Sequence, residues 1–163
     1  MRAILLVAVL TSAFLGTATA QTLEQQWEWC RDDNSERLIR ACSAVIHSGR
    51  QTPDKLARAF FNRGRAWSDK GLNARAIPDF DQAIRLDPEY PDAFNNRGVA
   101  YAGEGQYQRA IEDYDQAIRL DPNYAIAIYN RGLAAQSLGR EDEAAKYFAR
   151  AKDVGPRLLP PKE

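Results

Sequence analysis

The sequence is poor in the side chains that most chemistry needs. His47 is its one imidazole, and Cys30 and Cys42 are its only thiols. A single histidine rules out any paired-histidine metal motif, and the cysteine spacing fits no zinc pattern. There is no glycine-rich phosphate loop and no nucleophile elbow. Charge is not in excess either: 22 basic residues face 22 acidic ones. That balance lacks the cationic footprint of a nucleic-acid binder and offers no polybasic membrane segment. His47, beside Ser48-Gly49, reads as a cation at a helix C-terminus rather than a general base. These gaps argue against an enzyme, and no cofactor is expected.

Long apolar runs are scarce as well. The only one, Ala3 to Gly16, follows the basic Arg2 and precedes Ala18 and Ala20 in an A-x-A arrangement. It is short for a bilayer span, and the pattern is that of a secretory signal peptide over residues 1–20. The competing reading is an N-terminal core helix. Cleavage after Ala20 would leave Gln21–Glu163 with 21 basic and 22 acidic residues, enough for one compact domain. The expected location is outside the cytoplasm, the periplasm first and secretion second, with no stable membrane insertion after cleavage. In an exported chain two cysteines point to a Cys30–Cys42 disulfide, the alternative being two buried thiols.

What the chain does have is periodicity. Pro88, Pro122 and Pro156 are spaced by 34 residues, as are Gly64, Gly98 and Gly132, and Gly71, Gly105 and Gly139. Residues 57–90 laid over 91–124 agree at 20 of 34 positions, which chance does not produce. A period of 34 marks a helix–turn–helix solenoid. Within the middle unit, Pro91 suits a helix start, and Phe94, Arg97, Gly98 and Tyr101 recur at helical steps. Gly103 and Gly105 are expected to break that helix. A second stripe of Ala110, Ile111, Tyr114, Ala117 and Ile118 ends at Asp121-Pro122. Two helices joined by a short turn pack antiparallel. The mid-helix glycines imply close approach of a neighbouring helix, with Ala76, Ala110 and Ala144 expected on the facing side. Large residues fill the gaps: Phe60, Phe94 and Ile128 on first helices, Phe80, Tyr114 and Phe148 on second ones. Pro78 is expected to kink its helix locally.

The set Phe60, Gly64, Trp67, Gly71, Ala76, Phe80, Ala83, Pro88 resembles the tetratricopeptide repeat consensus. Phe94, Gly98, Tyr101, Gly105, Ala110, Tyr114, Ala117, Pro122 repeats it. Ile128, Gly132, Ala135, Gly139, Ala144, Phe148, Ala151, Pro156 repeats it with losses. Ala135 stands where an aromatic is usual, so looser packing is expected there. Arg63, Arg97 and Arg131 stand where the family usually has Leu. The resemblance implies an all-α, right-handed helical-repeat solenoid of antiparallel helix pairs, with units at 57–90, 91–124 and 125–156. Residues 21–52 read as a degenerate helix pair, opened by a Thr22–Gln25 capping box and clamped by the two cysteines. This pair is either a plain cap or a surface on which Trp27 or Trp29 meets a partner. Residues 157–163 form a Pro-rich tail, too short for a capping helix. Glu143, Lys146, Arg150 and Lys152 are candidates for a polar end face. If that face fails, the last helix with Leu158-Leu159 would be a sticky end.

In the resembled family, first helices line a concave groove. That implies Phe61, Asn62, Arg65 and Asp69 from the first full unit, Asn95, Asn96, Val99 and Ala102 from the second, and Tyr129, Asn130, Leu133 and Gln136 from the third. Amides among apolar groups suit an extended peptide backbone. Some family members grip a C-terminal carboxylate with Lys and Asn. Asn62, Asn96 and Asn130 match the Asn part, but the accompanying Lys residues are absent, so that specificity is not carried over. Asn-Arg-Gly recurs at 62–64, 96–98 and 130–132, and two readings stand. The triplets either contact ligand or join repeats, with Arg63 and Arg97 paired to Asp79, Asp81, Asp113 and Asp115. The implied function is to hold a peptide or helix of a partner protein of unspecified identity. The alternatives are a self-assembling, homo-oligomeric envelope component and, more remotely, an enzyme or small-molecule binder.

Overall fold

A computed structural model describes residues 23–155. Residues 1–22 and 156–163, where the expected leader, the Thr22 cap, Pro156 and the expected tail fall, lie outside the described residues. Within them the chain is helical throughout and contains no strand. A short helix α1 (23–29) precedes α2 (Ser35–His47). Three antiparallel pairs follow: α3 (Pro53–Asp69) with α4 (Asn73–Leu86), α5 (Pro91–Gly103) with α6 (Tyr107–Leu120), and α7 (Ala125–Ser137) with α8 (Glu141–Val154).

Local chemistry sets the boundaries. Pro53 and Pro91 open their helices, where the missing N–H costs nothing. Thr52 precedes Pro53 as N-cap without a side-chain bond, whereas Asn34 caps α2 by accepting the Arg37 N–H at 3.0 Å. The Asn34 backbone N–H in turn holds the Asp32 carboxyl below its usual range. His47 sits in the last turn of α2 with Nδ1 2.6 Å from the Ser43 carbonyl oxygen. Each pair turns through the same Schellman geometry. In the middle unit the Gly105 N–H reaches Ala102 O and the Gln106 N–H reaches Tyr101 O at 2.8 Å. This needs φ of +74° at Gly105, where a side chain would be strained. Gly103, by contrast, does not break α5. It lies in the helix, and a Cβ there would fall 2.3 Å from Asn73 Nδ2 of the preceding unit. Close approach, not chain reversal, accounts for it. Pro78 lies within α4, which continues past it to Leu86.

The mid-helix glycines do mark close contacts between the two helices of each pair, but their nearest partners are the rings. A Cβ on Gly98 would sit 2.7 Å from Tyr114 Cε1, on Gly64 2.9 Å from Phe80 Cε1, and on Gly132 2.7 Å from Phe148 Cε1. Ala76, Ala110 and Ala144 are buried, yet the aromatic four residues later reaches back over them. Helical side chains lean toward the N-terminal turn, so the ring covers the level of the alanine.

Arginine in place of Leu builds a ladder across the units. Arg97 binds Asp113 of its own pair through Nε and Nη2 at 2.8 and 2.6 Å, and Asp81 of the preceding pair through Nη1 at 2.7 Å. Arg63 binds Asp79 through the same two nitrogens and Ser43 Oγ of α2. Arg131 donates to Asp115 of the preceding pair and to Glu143 of its own. Burial works against the charge on Arg97, but Asp113 and Asp81 outweigh it and hold the guanidinium above its ordinary range.

Cys30 and Cys42 form a disulfide that joins the end of α1 to α2, with both residues fully buried. Closing so short a loop contributes roughly 3 kcal/mol in the chain-entropy account. Around it pack Leu38, Val45, Ala59 and Ala66, with Trp27 at the edge.

The opposite end is sealed by substitution. Ile111 and Ile118 of α6 pack toward α7, as Ile77 and Ile84 of α4 pack toward α5. At the equivalent positions of α8 stand Ala145 and Lys152, both exposed, and the ladder acid of Asp81 and Asp115 is replaced by exposed Ala149. The outer face of α8 therefore lacks both the apolar ridge and the acceptor that a further unit would use.

Candidate functional site: the inner helix face

The helices form two rows. α3 touches α5 and α5 touches α7, whereas α4 and α6, and α6 and α8, do not meet. The first helices are thus the closer, inner row, and the array is concave on their side. One stripe of each inner helix faces outward from the core: Arg58, Asn62 and Arg65 on α3, Asp92, Asn96 and Val99 on α5, Ile126, Asn130 and Leu133 on α7.

The three asparagines occupy one position in successive units, and each is anchored by its Nδ2. Asn62 donates to the Cys30 carbonyl at 3.0 Å, Asn96 to the Asp92 carbonyl at 2.8 Å, and Asn130 to Asn95 Oδ1 at 3.1 Å. The recurrence therefore has a structural component, as the Arg–Asp ladder does. Each amide is half-buried and retains its carbonyl oxygen and a second N–H, held in one orientation. Anchored polar groups bind with less ordering cost than free ones.

Two of the residues expected to face the groove do not. Phe61 is buried, its ring 4.9 Å from that of Tyr90 and 6.0 Å from that of Phe80. Asn95 is buried as the acceptor for Asn130. Arg65, Asp69, Val99, Leu133 and Gln136 are exposed, and Tyr129 and Ala102 are partly so, with Tyr129 packed 5.2 Å from Phe148. The structure adds residues that the sequence reading omitted. An open cleft of about 980 Å³ at the N-terminal end is lined by Trp27, Arg31, Asp54, Arg58, Asn62, the 86–90 turn and Asp92. Arg58, Asp92 and Ile126 precede the three asparagines by one helical turn, so the same stripe contained the signal.

Polarity changes along the face. Equivalent positions read Arg58, Asp92, Ile126 and Arg65, Val99, Leu133 from first unit to third. Val99, Ile126 and Leu133, on two adjacent inner helices, are 38%, 42% and 40% exposed. At the other end Arg31, Arg58 and Arg65 make no ion pair with another described residue. Acids are near them too, so the cleft carries both signs of charge. The Tyr90 hydroxyl is pushed up to about 12, first by burial and then by Asp92. Burial also raises Tyr124, which donates to Asp92 across the unit boundary. Among the described residues no group of His, Cys, Asp and Glu converges as a metal site, and no helix is long and apolar enough to cross a membrane.

Stacked helix pairs with a polar–apolar inner face define a helical-repeat scaffold. Family descriptions of the tetratricopeptide repeat match residues 64–105, 91–124 and 113–146. The chain belongs to the tetratricopeptide repeat family.

Solved structures agree. The second such domain of Spaghetti (RPAP3), bound to the HSP90 peptide SRMEEVD, is 29% identical, covering 68% of this chain and 98% of that one, with a TM-score of 0.59. The Sgt2 domain from Aspergillus fumigatus is 26% identical over 62% of this chain and 67% of its own, with a TM-score of 0.60. MamA, at 24% identity, shares the fold over 90% of this chain and 82% of its own, with a TM-score of 0.74. No curated relative matches the chain in sequence.

Proposed function

We propose that this protein is an exported interaction module that holds an extended segment of a partner protein along its inner face and does not itself catalyse a reaction. The observation that carries this reading is the row of Asn62, Asn96 and Asn130, each fixed by one N–H and otherwise free. Inner-helix neighbours lie about 10 Å apart, so the row offers backbone-binding amides at intervals of roughly three extended residues. The peptide-bound RPAP3 domain supports the use of such a fold for peptides. The leader-like residues 1–20 and the paired cysteines support export, with the periplasm as the compartment. End-to-end assembly of copies is the less favoured reading, because the outer face of α8 lacks the groups a following unit would need.

Affinity capture from an envelope extract tests the proposal. The wild type is compared with Val99→Asp/Leu133→Asp, both verified as folded by circular dichroism. A protein retained by the wild type and lost from the variant is the expected result. Equal capture by both would overturn the inner-face assignment.

A further inference from the structure

We infer that the Cys30–Cys42 disulfide is a redox latch that holds the N-terminal wall of the inner cleft in place. Its functional meaning rests on the inner-face reading above, but the latch is a property of the cap alone.

The wall is α1. Its Trp27, with Arg31 just beyond it, lines the cleft together with Arg58 and Tyr90. The carbonyl that anchors Asn62, first of the three groove asparagines, belongs to Cys30. Wall and first anchor therefore depend on where α1 sits.

Among the described residues, little besides the disulfide holds it. Cys30, just past its end, is the one fully buried residue of 23–31, Trp27 packs half-buried at the edge of the cap core, and the Asn62 bond is a single neutral hydrogen bond. The remaining units have their own cores and their own Arg–Asp ladder, which does not pass through α1. The bond thus divides a weakly held element from a self-supporting one.

A dithiol is the reductant the latch requires. One of its thiolates attacks a cysteine sulfur, giving a mixed disulfide and releasing the other cysteine as a thiolate. Its second thiol then displaces the attached cysteine. Two electrons and two protons pass to the Cys30–Cys42 pair, and the dithiol leaves as a disulfide. Both sulfurs are buried, so attack follows a transient lifting of α1. Once reduced, α1 no longer returns with the same frequency. Trp27 and Arg31 leave the cleft, and Asn62 loses its fixed orientation.

Hydrogen exchange on the full chain tests this in three states: oxidised, reduced with dithiothreitol, and as the Cys30→Ser/Cys42→Ser variant. In the last two, amides of residues 23–31 should lose about a hundredfold in protection, the scale set by closing a loop this short. Helices α3 to α8 should keep theirs in the same samples, and tryptophan emission should shift to the red as Trp27 is wetted. Unchanged protection of 23–31 in the serine variant would overturn the latch by showing that packing suffices. Loss of protection throughout α3–α8 would overturn it too, by making the bond a support of the whole array. Neither failure touches the groove assignment, which stands or falls on the Val99→Asp/Leu133→Asp capture.

Discussion

The second and third full units build the same helix pair with different chemistry at three linked positions. In the second, Arg109 lies 4.0 Å over the Tyr101 ring while Asp113 grips Arg97. The first unit follows it, with Arg75 over Trp67 and Asp79 on Arg63. In the third, the ring position is Ala135, the stacking arginine is Glu143, and the acid is Tyr147. The roles are exchanged rather than lost: Glu143 supplies the carboxylate to Arg131, and Tyr147 supplies the ring, 3.9 Å from the guanidinium. What the fold demands at this level is a satisfied arginine under an aromatic face. Which helix turn provides each part is open, provided that all three positions change together.

The largest test of that difference is to remove the acid from each unit. Asp113→Ala takes the bidentate carboxylate from the half-buried Arg97, leaving it Asp81 alone, and should cost about 2 to 3 kcal/mol, measured by urea unfolding. Glu143→Ala leaves Arg131 both Asp115 and the Tyr147 ring and should cost about 1 kcal/mol. Equal losses would mean that the exchange of roles has no energetic content.

A smaller effect is expected from the glycines. Gly98→Ala drives a methyl against the fully packed Tyr114 ring and should destabilise by about 1 to 2 kcal/mol after the helix-propensity gain. Gly132→Ala meets Phe148, which is only half-buried and can turn aside, so its net change should be near zero. Thermal denaturation of the two variants compares them directly.

The smallest difference appears only in alkali. Burial, then the charge of Asp113, raises the Tyr114 hydroxyl above its ordinary range of about 10, while Phe148 has nothing to titrate. The folded state then holds its proton where the unfolded state releases it. Stability is therefore complete below pH of about 10 and falls as pH rises beyond it. Tyr114→Phe should lessen that fall without abolishing it, since Tyr90 and Tyr124 are also raised. A slope above pH 10 identical to that of the wild type would remove Tyr114 from the account.

Much of this architecture was legible in the sequence because the repeat aligned each residue with its counterparts. The period and helix order came from spacing alone, and the Arg–Asp pairing from opposite charges recurring together. Phe61 and Asn95 were misplaced for a physical reason. They lie at the edge of the inner stripe, where exposure is decided by the Tyr90 ring and the Asn130 amide from other helices, which periodicity does not see. Gly103 was misread because its neighbour, Asn73, belongs to another unit. The cleft under α1 was missed because the cap departs from the repeat and gives no register to read.

The one-sided seal on α8 also bears on how such a chain can lengthen. Each ladder acid, Asp81 or Asp115, is offered forward to the arginine of the following unit. A duplicate of residues 91–124 inserted before Ala125 would find a carboxylate behind it and leave one for its successor. A copy appended after α8 would face Ala149 and Lys152 and find neither. Growth by duplication is open between the inner units and closed directly after α8, where neither the carboxylate nor the apolar ridge that a new unit would pack on is present.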